Sequence, residues 1–371
     1  MNTKTLWILS LGLSVCIACY IFSIWQTQTT NYEHAPTQLV SDKAVQEALA
    51  SYNHDHKNLK SNQFNIPTGL FIQSFYFKDS STINITGYIW QKYSKSIHDH
   101  LKRGFVFPEA VESGINPEPK IAYRKKYDND EVIGWYFETT LRQNFDYSKY
   151  PFDHKQIWLR IWHANFNEDV VLVPDMKAYK KTGLTDKFGI EQDVVSGGWI
   201  VQESFFDYKL ASYDTNFGID NYVGQNNFPE LHFNVMIQRK FLTAFIVNLL
   251  PLLVVIVLIF SVILSITKDN NKSHFGTSYT SIISALSGLF FIILLAHIQI
   301  RAEFSGNLVY MEYFYFVGYL TILIVAISSY YFYNGYNWKF LPLQYKDNLI
   351  IKLIFWPAVM SAALLCTLYH F

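Results

Sequence analysis

Cysteine is scarce in this sequence, and its placement excludes a fold held together by disulfide bonds. The 371 residues include three cysteines, Cys16, Cys19 and Cys366, and all of them lie in apolar segments near the ends of the chain. The polar region between these segments, where an exported domain would place a disulfide, has none. We therefore expect this region to be stabilised by packing, and the cysteines to act as small buried hydrophobic residues.

The chain also lacks a net charge and the short motifs of common enzymes. Lys plus Arg and Asp plus Glu number 30 each, so no excess of charge indicates nucleic acid as a partner. The sequence contains no phosphate-binding loop and no nucleophile elbow. We therefore expect neither an enzyme nor a protein that depends on a cofactor or a metal.

Apolar residues are abundant, and they form five stretches long enough to cross a bilayer. The first follows Lys4 and is typical of a signal peptide or an N-terminal membrane anchor, which we assign to residues 1–27. The other four lie in a predicted transmembrane domain at 240–371. Its helices are expected at 241–266, 275–300, 309–332 and 349–371.

Positive charge in the short loops predicts the orientation, because Lys and Arg near membrane segments tend to remain in the cytoplasm. Arg301 alone lies on one side, and the large region at 28–239 shares that side. We therefore expect a multi-pass cell-membrane protein with its large domain outside the cytoplasm. The lysines on the other side are Lys4, Lys268, Lys272, Lys339 and Lys346.

Residues 28–239 read as a domain made almost entirely of strands. A short amphipathic helix is predicted over 41–52, and after it the apolar residues alternate with polar ones in short segments separated by Asn, Asp, Gly and Pro. This pattern predicts an extracellular, immunoglobulin-like β-sandwich of about ten strands. The expected fold class is that sandwich followed by a four-helix transmembrane bundle, with an extra apolar helix at the N-terminus.

The third apolar stretch differs from the others because it carries small hydroxyls at helical spacing. Thr280, Ser284 and Ser287 share one face, and Phe291 and Leu294 continue it outward. Copies of such a helix around an axis would line a pore with a wettable inner half and an apolar constriction. Close packing between helices in lipid accounts for the same hydroxyls. The helix alone leaves both interpretations open.

Several motifs occur in a fixed order along the chain. The segment FDYSKYPFDHKQIWLRI, at 145–161, resembles the signature loop of the pentameric ligand-gated ion channels, and no cysteine pair closes it, as in prokaryotic members of that family. The resemblance covers about 67–332. The other motifs, in order, are IQSFYFKDSSTINITGYIWQKY, FVFPEAVESG, GGWIVQESFFDY, IQRKF, NLLP and HIQIRAEFSGNLVYMEYFYFVGY.

The resemblance implies a homopentamer in the bilayer, gated by a small-molecule agonist, either a cation or protons, and conducting inorganic ions. It places the signature loop against the membrane helices and implies an ion pair between Asp153 and Arg239. His297 is interpreted either as a proton sensor or as a residue bonded to a neighbouring helix. The residues implied in gating are Lys78, Asp79, Tyr150, Pro151, Phe152, Asp153, Arg239 and Arg301.

The same resemblance implies an aromatic ligand site between neighbouring subunits. Rings of this kind hold an ammonium group, with on the order of 1 kcal/mol per contact. In a chain this aromatic, each ring can equally belong to a core. The residues implied in the ligand site are Tyr93, Trp162, Phe166, Tyr213, Phe217 and Tyr222.

Two other classes of function remain open. A membrane sensor that does not conduct would use the same pentameric scaffold, although the loop at about 333–348 is short for an inner signalling domain. His-Asp-His occurs at 54–56 and again at 98–100, and His-x-His places two imidazoles on one face of a strand as a workable zinc pair. Asp269 and Lys272 together leave the charge preference of a pore open, whereas the resemblance favours cations.

Overall fold

The protein is represented by a computed structural model that describes residues 2–30, 37–55, 63–111, 119–165, 168–220, 222, 227–267, 278–304, 306, 308–335 and 347–371, with side chains for 37–52 of the second range. The chain forms two compact units. The helical unit comprises Met1–Tyr32, Asp146–Asp153 and Lys240–Phe371, and the sheet unit comprises Glu33–Phe145 and His154–Arg239.

The sheet unit begins with helix α2 (Asp42–Asp55), whose start is set by Ser41. The Ser41 hydroxyl accepts a hydrogen bond from the Ala44 N–H at 3.2 Å, as expected of an N-cap. Ten strands follow. They are β1 (Phe64–Phe77), β2 (Thr82–Ser94), β3 (Phe105–Val106), β4 (Lys120–Lys126), β5 (Asp130–Arg142), β6 (His154–His163), β7 (Val170–Pro174), β8 (Ile190–Val195), β9 (Trp199–Ala211) and β10 (Phe228–Arg239).

The strands form two sheets that share one hydrophobic core. One sheet has the order β4-β5-β2-β1-β7, with β8 also paired to β1, and the other has the order β3-β6-β10-β9. Leu70 and Ile89 from the first sheet and Leu159, Phe206 and Phe233 from the second belong to the same buried cluster. Their alternation with outward-facing residues follows from the two-residue period of strands. The predicted sandwich of about ten strands is confirmed.

Two strands of the first sheet escaped the sequence analysis. In β4 all seven residues are exposed, so an apolar face that would mark a strand is absent from it. β8 runs parallel to β1 across a register shift, and its only buried residue is Ile190. Both strands are held by backbone pairing rather than by burial. Hydrophobic alternation therefore does not detect them.

The helical unit consists of helices α1 (Thr3–Thr30), α3 (Phe241–Ala244), α4 (Leu250–Ser265), α5 (Tyr279–Glu303), α6 (Tyr310–Tyr333) and α7 (Leu349–His370). A turn of π-helix, Phe245–Leu249, joins α3 to α4, so Phe241–Ser265 forms one span. Within the described residues, five helices are long and apolar enough to cross a membrane, and one of them is α1. This finding fits a membrane protein and agrees with the extra N-terminal apolar helix.

Candidate functional site

The segment Asp146–Asp153 is a tight turn that belongs to the helical unit, although it connects strands β5 and β6 of the sheet unit. The Asp146 carboxylate accepts hydrogen bonds from the Ser148 N–H at 2.8 Å and from the Ser148 hydroxyl at 3.0 Å. The Tyr150–Pro151 peptide bond is cis. Tyr150 and Phe152 are both buried. The turn therefore directs its aromatic side chains into the packing of the helices.

Tyr150 is bonded to the span that begins at Phe241. The Asn248 side-chain amide donates a hydrogen bond to the Tyr150 hydroxyl at 2.6 Å, and the Tyr315 hydroxyl donates to the Asn248 carbonyl at 2.9 Å. On its other side, the Tyr150 ring packs on Phe304, with ring centroids 4.5 Å apart. The Tyr310 N–H also donates to the Ser148 carbonyl at 2.8 Å. The turn thus contacts the π turn, the end of α5 and the start of α6.

Phe152 lies at the centre of an aromatic cluster. Its ring stacks on Phe241, with centroids 5.1 Å apart and planes 20° from parallel. Trp25, Tyr310 and Phe371 lie around it at centroid distances of 5.6, 6.1 and 5.8 Å. Rings at these distances and angles attract one another beyond the effect of burial. The cluster ties the turn to α1, α3, α6 and the end of the chain.

The corner between α5 and α6 is closed by one buried carboxylate. Glu312 is fully buried, and its carboxylate accepts hydrogen bonds from Arg301 at 3.2 Å and from the Val309 N–H at 2.8 Å. His297 lies 3.2 Å from the same carboxylate and 3.1 Å from the Tyr319 hydroxyl. His297 therefore bonds to the neighbouring helix α6, and Arg301 belongs to the corner that packs on the turn.

The remaining residues implied in gating lie in the sheet unit, apart from Asp153. The Lys78 ammonium donates to the Thr140 hydroxyl at 2.8 Å. Hydrogen bonds from Ser81 and Thr82, the hydroxyl of Thr82 first, lower the pKa of Asp79 to about 2. Arg239 lies over the Trp199 ring, 4.2 Å from its centroid. Asp153 is buried and belongs to the helical unit, so its ion pair with Arg239 stays a prediction.

Helix α5 divides sharply into a buried face and an exposed face. Ile282, Leu286, Leu289, Ile293 and Ile300 are buried against the other helices. Thr280, Ser284, Ser287 and Phe291 are exposed, and Leu294 is half-buried. Because residues three and four apart share a face, the hydroxyls lie opposite the buried stripe. They are therefore turned away from the other helices of the helical unit.

Four of the predicted ligand residues come together in the sheet unit. Ring centroids are 5.9 Å apart for Trp162 and Tyr213, 5.7 Å for Tyr213 and Phe217, and 5.3 Å for Phe217 and Tyr222. The pocket lined by Trp162 and Tyr222 has a volume of only about 40 Å³, which holds little more than a water molecule or two. We call these four residues the aromatic group. Phe166 lies outside the described residues.

A network of charged side chains contacts the aromatic group through the Tyr213 hydroxyl. Arg160 forms ion pairs with Glu109 and, at 3.2 Å, with Glu230, and it donates to the Tyr213 hydroxyl at 2.8 Å. That hydroxyl donates in turn to the Glu230 carboxylate at 2.8 Å. Burial, followed by this bond to Glu230, raises the pKa of Tyr213. One guanidinium here faces two carboxylates, so the network has a formal charge of −1, which favours a cation nearby.

Tyr93 lies apart from the aromatic group. It is fully buried, and its hydroxyl donates to Gln91 at 2.6 Å and lies 3.2 Å from Nε2 of His163. Burial raises the pKa of Tyr93 to about 12. The separation follows from the strand period, because His163 and Trp162 are consecutive in β6 and point to opposite faces. Tyr93 contacts the inward side of β6, and Trp162 lies on the outward side.

The His-Asp-His segments do not gather into a metal centre in the described part of the chain, where no three metal-binding side chains form a group. Nδ1 of His98 accepts a hydrogen bond from the Ser94 N–H at 2.9 Å, and His100 lies 3.5 Å from the Glu168 carboxylate. The side chain of His54 and all of His56 lie outside the described residues. Burial lowers the pKa of His98 and lowers that of His163 to about 4.

His232 is a buried histidine whose two ring nitrogens have no hydrogen-bond partner among the described residues. It stacks on Trp158 at 5.5 Å, and Nδ1 is 4.0 Å from the Asp207 carboxylate, too far for a hydrogen bond. Burial, with the charges of Lys209 and Arg160, lowers the pKa of His232 to about 3. The folded state therefore strongly prefers the neutral ring.

We expect His232→Phe to make the sheet unit more resistant to acid. An unfolded histidine binds a proton below about pH 6.5, whereas folded His232 does not, so stability is full above that pH and falls towards pH 3. At pH 4.5 the variant should recover about 2 to 3 kcal/mol. Thermal midpoints between pH 7.5 and 4.5 measure this effect. The exposed His100→Phe is the control, and equal acid sensitivity of both variants would contradict the prediction.

In comparisons with known proteins, no family model matches the chain and no curated protein matches it. The resemblance to pentameric channels therefore stays an inference from the motifs. The contacts described above are independent of it.

The sequence analysis missed several residues that hold these sites together. Glu312 is the only charged residue between 309 and 333, and an isolated acid in an apolar segment is a signal that could have identified it. Asn248 carries a weaker signal of the same kind in the 241–266 stretch. Trp25, Arg160 and Glu230 have no such signal, because only their partners distinguish them from other residues of their type.

Proposed function

We propose that the chain is one subunit of a pentameric ligand-gated ion channel, with an immunoglobulin-like extracellular sandwich and a four-helix transmembrane bundle preceded by α1. The observation that carries the proposal is the Asp146–Asp153 turn. It is covalently continuous with β5 and β6 of the sheet unit, and it packs by hydrogen bonds and rings into the helical unit. In this proposal, the turn is the part of the chain that passes a change in the strands to the helices.

The pore is formed by α5 in this proposal. Five copies around an axis direct Thr280, Ser284 and Ser287 inward, and Phe291 and Leu294 form the constriction. The exposed hydroxyl face supports this role, because packing between the helices of one subunit is provided by the opposite face. The α5–α6 corner, which packs on the turn through Phe304, then links α5 to the strands.

Ligand binds at the aromatic group, between one subunit and the next. The small volume of the pocket within a single chain supports a site that a neighbouring subunit completes. The two carboxylates around Arg160 favour a small cation, and protons are the other candidate agonist. The resemblance to prokaryotic members favours a bacterial inner membrane, and the lysines of the loops favour a sheet unit outside the cytoplasm.

Electrical recording from purified protein in planar bilayers tests the proposal. Currents are recorded during application of a panel of amines and amino acids and during steps of pH. We expect at least one of these to evoke discrete openings. If none does while the protein is shown to be a pentamer, the sensor that does not conduct is the better reading. If the purified protein is a monomer, both readings fail.

Cysteine substitution tests which face of α5 lines the pore. In a background in which the three native cysteines are replaced by serine, Ser284→Cys is expected to react with a charged, water-soluble thiol reagent and to lose its current. Ile282→Cys, on the buried face, should be unaffected. Ile292 is exposed on a flank of the helix, about a quarter turn from the hydroxyl face. Block at Ile292→Cys without block at Ser284→Cys would show that the pore face is wrong.

A further inference from the structure

Helix α1 contacts the rest of the helical unit near both of its ends. Near its start, the Ser10 hydroxyl donates to the Leu353 carbonyl of α7 at 2.5 Å, and the Trp7 ring lies edge-on to Phe260 of α4 at 6.4 Å. Near its end, Trp25 donates its indole N–H to the Tyr310 hydroxyl of α6 at 2.8 Å. These contacts involve three different helices. An apolar helix without a specific packing site would not form these hydrogen bonds with its polar side chains.

The contacts also determine the direction of α1. Its beginning meets the last part of α4 and the first part of α7, and its end meets the starts of α3 and α6. It therefore runs parallel to α7, which places Lys4 beside the beginning of α7. The distribution of lysines in the sequence also predicts that Lys4 and the start of α7 lie on the same side of the membrane, the cytoplasmic side. Packing and charge agree on a helix that crosses the membrane from the cytoplasm outward.

Trp25 connects α1 to the turn. Its ring lies 5.6 Å from Phe152, 6.0 Å from Phe241 and 6.1 Å from Phe314, measured between centroids. The Tyr310 hydroxyl that receives its N–H is also 2.7 Å from the Thr367 hydroxyl of α7. The Trp25 side chain thus packs against Phe152 and also donates a hydrogen bond to Tyr310. The Tyr310 N–H in turn donates to the Ser148 carbonyl of the turn.

We propose that α1 is retained in the mature protein as a fifth membrane helix and that Trp25 is a positioning residue for the turn. A signal peptide that is removed would take with it one wall of the cluster around Phe152 and one of the two hydrogen-bond partners of the buried Tyr310 hydroxyl. The role of Trp25 in gating rests on the proposed channel function. The retention of α1 and the ordering of the turn do not.

Intact-mass measurement and N-terminal sequencing of the full-length protein, purified from membranes, test retention directly. We expect the mature protein to include Trp25 and the residues of α1 that precede it. A mature chain that begins after Trp25 would overturn the inference, whatever the protein conducts.

Hydrogen exchange of the full chain in detergent tests the positioning role. Trp25→Ala should speed exchange in peptides covering 146–153 and at the Tyr310 amide by about tenfold, because the ring that supports Phe152 is lost. Trp7→Ala is the matched control, since it removes the same side chain from the same helix at the opposite end. Trp25→Phe keeps a ring and should restore most of the protection. Equal exchange in the two alanine variants would reduce Trp25 to an ordinary packing residue and overturn its role.

Planar-bilayer currents under the condition that activates the unaltered protein separate this inference from the proposed function. We expect Trp25→Ala to change the open probability by about tenfold and Trp7→Ala to leave it nearly unchanged. If the exchange result holds and no variant or parent conducts, the channel function fails and the positioning role stands. If currents appear and Trp25→Ala gates like Trp7→Ala, the role of Trp25 in gating fails, whatever the exchange measurement shows for the turn.

Discussion

Replacing Glu312 by alanine is expected to lower the stability of the helical unit by about 3 to 5 kcal/mol, because three groups lose their shared acceptor at once, each at about 1 to 3 kcal/mol. The carboxylate is fully buried and bonds to Arg301, to the Val309 N–H and to His297. Alanine would leave the Val309 N–H without an acceptor in an almost fully buried position. Each of these losses is costly away from water.

The thermal midpoint of the protein in detergent should therefore fall by roughly 10 °C. Glu312→Gln keeps the volume and an acceptor for the Val309 N–H, so its effect should be smaller. A double-mutant cycle with Arg301→Gln and Glu312→Gln isolates the ion pair, and we expect a clear departure from additivity. A midpoint for Glu312→Ala within 2 °C of the parent would show that the corner does not depend on this carboxylate.

The same substitution should also change gating, if the protein is a channel. The corner that Glu312 closes carries Phe304, whose ring packs on Tyr147 and Tyr150 of the turn at 4.8 and 4.5 Å. A corner that loses its internal bonds transmits less of any movement of the turn. Stability and current can therefore be measured on the same variants. Glu312→Gln, which should still fold, is the variant whose current should be recorded.

Replacing Arg160 by methionine is expected to be comparably damaging in the sheet unit. Its guanidinium forms ion pairs with Glu109 and Glu230, whose side chains are 12% and 6% exposed. Methionine keeps most of the volume and leaves two neighbouring carboxylates without their cation. The expected loss is again about 3 to 5 kcal/mol. The thermal midpoint of the sheet unit should fall by roughly 10 °C.

A second substitution gives this prediction a distinctive signature. Arg160→Met combined with Glu230→Gln should recover part of the lost stability, because only Glu109 then remains as a charge without its cation. A double variant no more stable than Arg160→Met would show that the two carboxylates are not the cause.

Arg160→Lys separates charge from geometry in the same network. Lysine retains the positive charge and loses the planar fork that reaches both carboxylates and the Tyr213 hydroxyl together. We expect an intermediate loss of stability and a disordered aromatic group. If a small cation binds beside Tyr213, its affinity for this variant should be lower than its affinity for the parent, even under conditions in which the variant is fully folded.

Local pattern in the sequence was sufficient for the elements and their order. Alternation in β1, β2, β5, β6, β9 and β10, and uninterrupted apolar stretches in the helices, reflect the strand period and the thickness of a bilayer, and both act on neighbours in the chain. The hydroxyl stripe on α5 was also readable, because Thr280, Ser284 and Ser287 lie within two turns of each other. The strands β4 and β8 were not, since backbone pairing leaves no apolar pattern.

The sequence by itself therefore determined a membrane protein with a domain of about ten strands, apolar helices before and after that domain in the chain, and an aromatic turn between two strands. Only the tertiary structure decided which partners those residues have: Asn248 for Tyr150, Glu312 for Arg301, Trp25 for Phe152, and His163 rather than Trp162 for Tyr93. The physical reason is that periodicity records which side of an element is buried. The packing of distant segments then determines the residue that lies opposite.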